Sequence, residues 1–329
     1  MLHVRLIAPA RLTDSVVALA DGSAAIVNVV TLRGAVSSPA GDLIEFDLVR
    51  EGADAVLAEL RRLGLGEAGT IAVNDIDLMI SADADAAGRA VPGRSEDAVV
   101  WDELSARTGA DAELSWSFLA FLTLATLLAG IGGVLDQPIL IVGAMVLGPE
   151  FGAIASACFG VVRREWGRIA SAGTTLLVGF VFAIAITAAC ALAGRLLGWV
   201  EPEVLGHRPL TGFFFHADRW SFVVAVLAGI AGILAITSEK STSLVGVFIS
   251  VATIPAAGNI ALGLALSHWS EAGRSAIQLG VNLAGLTIAG ILTLLVQRAL
   301  WSRFGLRLPS LAQPTPSAPS SSPTDSAGR

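Results

Sequence analysis

Apolar stretches dominate the chain beyond residue 115. Six of them are long enough to cross a hydrocarbon layer, which takes about 20 residues at a rise of about 1.5 Å per residue. Five contain no charged residue, and the sixth contains only Glu150. In each stretch the apolar residues occupy all faces of the predicted helix, whereas a helix of a water-soluble bundle is apolar on one face only. The pattern predicts a multi-pass α-helical membrane protein with spans at residues 116–135, 138–162, 169–194, 221–238, 241–266 and 275–297.

The first 80 residues follow a different pattern, in which short β-like and helical segments alternate. Ile44, Phe46 and Leu48 alternate with acidic residues, which is the period of a half-buried strand. Asp42, Glu45 and Asp47 are therefore expected on the solvent side of a sheet, and a cation site at these acids is the less favoured alternative. Strands at residues 2–7, 25–32, 42–49 and 70–76, with helices at 13–20 and 53–63, predict an N-terminal ferredoxin-like α/β domain over residues 1–80.

Two further segments separate or follow these domains. Residues 81–115 are rich in Ala, Asp and Gly and are predicted to form a linker with a short helix capped by Ser95. The membrane domain is predicted to occupy residues 116–304. Residues 305–329 are predicted to be a disordered tail, because the last 21 residues contain 5 Pro and 6 Ser.

Composition supports the membrane assignment. The chain of 329 residues is 54% hydrophobic and only 15% charged, whereas an average soluble protein has about 25% charged residues. Six of the seven Trp residues lie at or just beyond the predicted span ends, as expected for a side chain that prefers the headgroup region. With both termini in the cytoplasm, eight basic residues near span ends face inward and four face outward, which favours that orientation in an inner membrane.

The membrane half contains landmarks that recur in the same order. LAGIGGVL at residues 128–135 is followed by LAGIAGIL at 227–234, and each precedes a Val-Gly pair and a Pro-x-x-Gly-x-Ile pattern. Three spans per copy would place the second copy upside down, giving an inverted 3+3 repeat of the kind found in secondary transporters. Chance similarity among Ala-, Gly- and Leu-rich helices is the alternative, because the gaps between landmarks differ.

Glycine and proline near the middle of spans two and five mark a candidate binding site. Proline interrupts a helix, and backbone groups freed inside a bilayer need partners from protein or from a water-filled cavity. Glu150 is the sole ionisable residue in any span and is the candidate for coupling to a proton or cation. Ordinary helix packing, with Glu150 bonded to freed amides, remains the alternative. The predicted midplane residues are Gly148, Pro149, Glu150, Gly152, Pro255, Gly258, Asn259 and Asn282.

If Pro149 and Pro255 are equivalent positions of the two copies, Ala256 corresponds to Glu150, so the acid belongs to one half only. Asn259 then corresponds to Ala153. Gln278 and Asn282 share one helix face and are expected to bond between helices more than to contact a ligand. The three His residues of the outer loops, with nearby acids such as Glu271, are expected to be solvated. A metal or pH-sensing cluster is the less favoured alternative there.

Catalytic signatures are missing from the sequence. It contains no phosphate-binding loop, zinc-protease helix, nucleophile elbow or dinucleotide fingerprint. Cys158 and Cys190 both lie in apolar stretches and cannot form a thiolate metal site by themselves. We therefore expect no enzyme activity, catalytic residue, metal, cofactor or nucleic-acid partner.

A family resemblance rests on PILIVGAMVLGPEFGAIASACFGVVRRE at residues 138–165, with MLHVRLIAPARLTDSVV and SPAGDLIEFDLVRE in the N-terminal part. These stretches resemble the bacterial family called the uncharacterised hydrophobic domain, or domain of unknown function 389, over about residues 1–300. The resemblance implies a multi-pass membrane protein and brings no activity, substrate or catalytic residue with it.

Two functional hypotheses follow. The first is a small-solute or ion transporter or channel whose midplane site lies at the breaks of spans two and five and whose cytoplasmic domain regulates it. The alternative is a membrane-anchored sensor or scaffold whose soluble domain binds a ligand or partner. The expected partners are the lipid bilayer and an unknown small solute or ion, and a homo-oligomer is as compatible with the sequence as a monomer.

Overall fold

The computed structural model describes residues 1–76, 78–90, 108–109, 112–201, 205, 208–215, 219–237 and 253–304. The chain divides into two compact units, one that includes Met1–Val91 and a second that comprises Pro92–Gly305. The predicted linker helix at Ser95 and the predicted tail at 305–329 lie outside the described residues.

The N-terminal unit is built on a four-stranded antiparallel sheet with the strand order β2-β3-β1-β4. The element order βαββαβ and this strand order agree with the predicted ferredoxin-like arrangement. A helix of the predicted linker, α4, follows the last strand. The elements are β1 Leu2–Ala8, α1 Ala10–Asp21, β2 Ile26–Ser37, β3 Ala40–Leu48, α2 Ala53–Arg62, α3 Leu65–Ala68, β4 Thr70–Asp75 and α4 Ala82–Ala90.

The core of this unit follows the predicted alternation in β3. Ile44, Phe46 and Leu48 are buried, and Leu6 of β1 lies opposite Ile44 in the antiparallel register. The buried faces of α1 and α2 are formed by Val16, Leu19, Val56, Leu57 and Leu60. One face of the sheet and one face of each helix therefore form a single apolar core.

The predicted solvent position of two acids in β3 is wrong. Asp42 is 4% exposed, because it lies on the same face of β3 as Ile44, and Asp47 is 8% exposed with its carboxylate bonded to His3 and Asn28. Asp42 accepts hydrogen bonds from the Thr13 hydroxyl and the Gly34 amide at 2.6 and 2.7 Å. These bonds, the Thr13 bond foremost, hold the pKa of Asp42 below its usual value.

The stability that Asp42 contributes should depend on pH. Because the pKa of the folded state is lowered, the contribution is present above the unfolded pKa of about 3.9 and is lost as pH falls through the folded value. The Asp42→Ala variant should therefore show faster amide exchange in β2 and β3 than wild type at neutral pH, and this difference should shrink in acid.

Hydrogen exchange of the full chain, corrected for intrinsic rates, measures this. Asp14→Ala is the control, because Asp14 pairs with Arg33 on the surface, where ion pairs contribute little. The unfolded pKa is about 3.9. If the difference in exchange rate between Asp42→Ala and wild type stayed constant below about pH 4, the proposed link between Asp42 ionisation and stability would be contradicted.

The helical unit consists of seven described helices and one 3-10 turn, Gly212–Phe215. Its exposed apolar side chains are numerous, and five exposed Trp residues lie at or just beyond helix ends, as predicted. The helices are α5 Trp116–Val134, α6 Pro138–Leu147, α7 Glu150–Arg163, α8 Trp166–Leu196, α9 Arg219–Thr237, α10 Ile254–Ala265 and α11 Trp269–Phe304.

Four of these helices, α5, α8, α9 and α11, are long and apolar enough to cross a membrane. The bent pair of α6 and α7 makes a fifth candidate span among the described residues. The predicted fifth span, 241–266, is described only from residue 253, and its described helix α10 has 12 residues. Length and composition therefore indicate a membrane protein with four to five described spans, where the sequence predicts six.

Helix α10 is the central element of this unit. Eleven of its 12 residues are buried, and it packs against α5, α8 and α11. Gly258 lies so close to α5 that a Cβ atom added there would be 3.0 Å from the Gly130 nitrogen and 3.1 Å from the Ala129 Cβ. The absence of a side chain at residue 258 therefore allows the two helix backbones to approach each other.

Two helices of the unit begin at a constant spacing along the chain. The first residues of α8 and α11, Trp166 and Trp269, differ by 103. This spacing also matches the two Val-Gly pairs of the sequence, which lie at 142–143 and 245–246.

The turns before α8 and α11 have the same geometry. Arg164 and Ser267, again 103 apart, adopt left-handed φ angles of 61° and 66°. In both turns the next residue donates its amide hydrogen to the carbonyl oxygen of a glycine five residues earlier, Gly160 or Gly263, over 2.8 Å. The recurrence therefore includes local backbone conformation as well as the positions where α8 and α11 begin.

Candidate functional site

The predicted break in span two lies between α6 and α7. Gly148 is extended, with ψ 119°, as is usual for a residue before proline, and the two helices meet at 50°. Pro149 is the N-cap of α7, and Glu150 is its first residue. The break therefore places a carboxyl group at a helix N-terminus, where backbone amides and the helix dipole favour negative charge.

Glu150 is 0% exposed and contacts the start of α10. The Thr253 hydroxyl donates a hydrogen bond to Oε1 of Glu150 over 2.6 Å. Thr253 is the N-cap of α10, and Pro255 lies in the first turn of that helix. The beginnings of α7 and α10 are thereby joined through a buried polar contact.

A second polar group surrounds Asn259, six residues further along α10. The Asn259 side-chain oxygen accepts a hydrogen bond from Nη1 of Arg208 over 2.7 Å. Its Nδ2 donates to Oγ of Ser275 at 2.9 Å and to Oε1 of Glu271 at 3.2 Å. Asn259 therefore connects the segment before the 3-10 turn to the first turns of α11.

Arg208 is buried within the helical unit although it belongs to no helix. Its side chain is 3% exposed, and its guanidinium carbon lies 4.9 Å from the centre of the Phe215 ring. Burial lowers the pKa of Arg208, and the nearby carboxylates of Glu271 and Asp136 oppose that effect. The Nη1 atom lies 3.8 Å from Oε1 of Glu271, so this ion pair is looser than a direct hydrogen bond.

Asp136 fixes the segment that carries Arg208. Its carboxylate accepts hydrogen bonds from the Thr211 amide at 2.8 Å, the Thr211 hydroxyl at 2.7 Å and the Leu210 amide at 3.2 Å. Partial burial opposes ionisation, but these bonds and Arg208 hold the pKa of Asp136 below its usual value. The turn between α5 and α6 therefore anchors residues 208–212.

Comparison with known proteins identifies the part of the chain that contains both polar groups. Residues 145–288 match the family described as Domain of unknown function (DUF389). The resemblance read from the sequence is thereby confirmed over these residues. The uncharacterized protein MJ0678 of Methanocaldococcus jannaschii is 25% identical over 182 residues, which is 55% of this chain and 54% of that protein. The match thus spans about half the length of the curated relative, and no solved structure matches.

The eight predicted site residues all lie within the DUF389 match. The structure brings Glu150 and the start of α10 together, whereas Asn259 belongs to the separate group around Arg208. Asn282 is buried in α11, one turn beyond Gln278, whose Nε2 donates to the Phe214 carbonyl oxygen at 3.2 Å. Gln278 thus bonds from α11 to the 3-10 turn, a contact between helical elements and not with a ligand.

Sequence reasoning missed three residues of these groups within the DUF389 match: Thr253, Arg208 and Ser275. Thr253 carries a local signal, since a threonine shortly before a proline often begins a helix. Arg208 carries none, because its burial depends on where a loop folds. The expected solvation of Glu271 is wrong in part: its side chain is 29% exposed and is bonded to Asn259. Among the described residues, no group of three or more His, Cys, Asp or Glu is placed to hold a metal ion.

Proposed function

We propose that this protein is a multi-pass inner-membrane transporter or channel for a small solute or ion. The observation that carries the proposal is the buried contact between Glu150 and Thr253, which joins the starts of two short helices inside an apolar unit. Discontinuous helices with inward-facing N-termini are the usual framework of midplane sites in transporters. No catalytic residue or cofactor is part of the proposal.

The two halves of the helical unit are proposed to be inverted copies related by the spacing of 103 residues. In that register α5, α7 and α8 correspond to α9, α10 and α11. Helix α10 packs against α11 of its own half and against α5 and α8 of the first, and α7 packs against α8 of its own half and α11 of the second, so each short helix lies between the two copies. Glu150 then corresponds to Thr253, and not to Ala256 as the proline pairing suggests.

In this register the bond between Glu150 and Thr253 joins equivalent positions of the two proposed copies. Equivalent residues of two copies meet only where the axis relating the copies passes between them. Glu150 and Thr253 are equivalent in this register and are bonded to each other over 2.6 Å. The polar pair therefore occupies the position expected for a site shared by both halves.

Glu150 is proposed to exchange a proton or to bind a cation during transport. A buried carboxylate in an apolar surrounding is costly unless it is protonated, hydrogen bonded or paired with a cation. The Thr253 hydroxyl donates to Oε1 of this carboxyl group, so a proton or cation taken up by Glu150 would act directly at the contact between the two helices. Gain and loss of a proton or cation would alter this contact and, with it, the join between α7 and α10.

The arrangement in the membrane follows from the distribution of basic residues. With eight basic residues on one side of the predicted spans and four on the other, both termini are proposed to lie in the cytoplasm. The N-terminal unit would then be a cytoplasmic regulatory domain. The Arg208 group would lie toward the outer side.

Reconstituted vesicles test the proposal. Purified full-length protein is placed in vesicles that contain a pH-sensitive dye, and proton flux is followed after a pH step with a panel of small solutes outside. Wild type should accelerate the pH change with at least one solute, and Glu150→Gln should reduce this flux at least tenfold. Glu113→Gln is the matched control, because Glu113 is exposed just before α5.

Equal flux for wild type and Glu150→Gln would contradict the coupling role. Absence of flux in wild type with every solute would contradict transport and favour the alternative, a membrane-anchored sensor or scaffold.

A further inference from the structure

Arg208 uses only part of its hydrogen-bonding capacity within the protein. Nη1 donates to Asn259 and faces Glu271. Nε and Nη2 are buried and have no hydrogen-bond partner among the described residues. A guanidinium group has five N–H donors in one plane, and buried donors without partners are costly. The unused donors therefore require an explanation.

The two unused nitrogens form one edge of the guanidinium plane. The N–H groups of Nε and Nη2 point the same way, and this edge binds the two oxygens of a carboxylate or phosphate through parallel hydrogen bonds. Nη1 lies on the other side of the plane, where Asn259 accepts from it. The internal bond to Asn259 therefore orients the group and leaves the bidentate edge without a hydrogen-bond partner among the described residues.

A purely structural role for Arg208 explains the arrangement less well. The ion pair with Glu271, at 3.8 Å, is longer than a charge-assisted hydrogen bond, and Asn259 bonds to both side chains. An arginine retained only to pair with Glu271 would be expected to make that contact directly. The Phe215 ring lies against the guanidinium, whose carbon is 4.9 Å from the ring centre, and supplies no hydrogen-bond acceptor to Nε or Nη2.

We propose that Arg208 binds an oxyanion, a carboxylate or phosphate group, through its Nε and Nη2 edge, with Asn259 and Glu271 holding the guanidinium in place. The site goes beyond the proposed transport function and does not require it. The oxyanion belongs either to a free small anion or to the headgroup of an anionic lipid. The bound oxyanion would accept hydrogen bonds from Nε and Nη2, the two nitrogens of Arg208 that have no partner among the described residues.

Equilibrium binding tests the site separately from flux. Full-length protein is placed in nanodiscs of phosphatidylcholine, and thermal stability is titrated with inorganic phosphate and with succinate against sodium chloride of equal ionic strength. Wild type should be stabilised by at least one of the two anions, with saturation. Arg208→Lys should bind at least tenfold more weakly, because lysine keeps the charge but lacks the planar edge.

Two further variants make the result specific. Arg208→Gln should abolish saturable stabilisation, whereas Arg274→Gln, at an exposed position of α11, should behave as wild type. In nanodiscs that contain phosphatidylglycerol, weakened phosphate binding would assign the site to a lipid headgroup, and unchanged binding would assign it to a free anion. Either result supports the oxyanion site.

The proposal is contradicted if two results occur together. Neither anion stabilises wild type in phosphatidylcholine nanodiscs, and phosphatidylglycerol raises the melting temperature of wild type no more than that of Arg208→Gln. It is also overturned if Arg208→Lys and wild type respond equally. The binding measurement needs no transported solute. Failure of the oxyanion site would therefore not decide the transport proposal, which the flux experiment tests separately.

Discussion

The Gly258→Leu variant should yield little folded helical unit, and this is the largest effect on folding that we expect from a single substitution. The first side-chain carbon at this position would lie 3.0 Å from a backbone nitrogen of α5 and 3.1 Å from the Ala129 Cβ. Neither atom belongs to a flexible side chain, so the helices would have to separate. Overpacking of a close-packed core typically costs about 1–3 kcal/mol, and a backbone clash costs more.

Gly273→Leu is the control for this substitution. Gly273 lies in α11, is exposed, and a Cβ atom there would meet nothing within 4 Å. Leucine favours a helix by up to about 1 kcal/mol over glycine, so this variant should fold at least as well as wild type. The measurement is the fraction of monodisperse protein in detergent and its melting temperature. Similar melting temperatures for the two leucine variants would show that the contact between α10 and α5 is not tight.

Exchanging the two partners of the buried bond should restore what each single substitution removes. Thr253→Glu alone would place a second carboxyl group within hydrogen-bond distance of Glu150, and two buried carboxylates cannot both remain charged there without repulsion. Glu150→Thr alone would leave no acid between α7 and α10. The double variant Glu150→Thr with Thr253→Glu recreates the pair with its members interchanged.

If the two halves are inverted copies related by an axis between these residues, the double variant should regain folding and at least a tenth of wild-type flux. The single variants should lose most of the flux, and Thr253→Glu should also lose stability. Thr253→Ser, which keeps the hydroxyl donor, is the matched control and should resemble wild type. A double variant as defective as the single variants would mean that the two positions are not equivalent, and the register of 103 residues would be rejected.

The apolar pattern predicts the helical unit well because long uncharged segments have few alternatives to a buried or lipid-facing helix. Its boundaries are less accurate at the ends of α8 and α11, where the structure continues the helices beyond residues 169–194 and 275–297. Charged residues such as Arg168 and Glu271 end a hydropathy segment but do not end a helix. Backbone hydrogen bonding extends to the next turn regardless of polarity.

The polar groups are only partly predictable for a related reason. Glu150 and Asn259 stand out because they interrupt apolar segments. Their partners do not, since Thr253 is a common helix-start residue and Arg208 lies in a polar loop. Contacts between residues 103 and 51 positions apart depend on how helices pack, and a single sequence contains no record of that packing. Asp42 is a different case, because the alternation in β3 already places it on the buried face with Ile44, and only its partners Thr13 and Gly34 depend on packing.

The lengths of α8 and α11 have a consequence for the lipid environment. Their 31 and 36 residues correspond to about 46 and 54 Å, whereas the hydrocarbon core of a bilayer is about 30 Å thick. Two such helices must tilt or extend past the headgroups, and both begin at an exposed tryptophan that prefers the interface. Changes in acyl-chain length should therefore be absorbed by tilting of these two helices, while the short buried α10 is shielded from them.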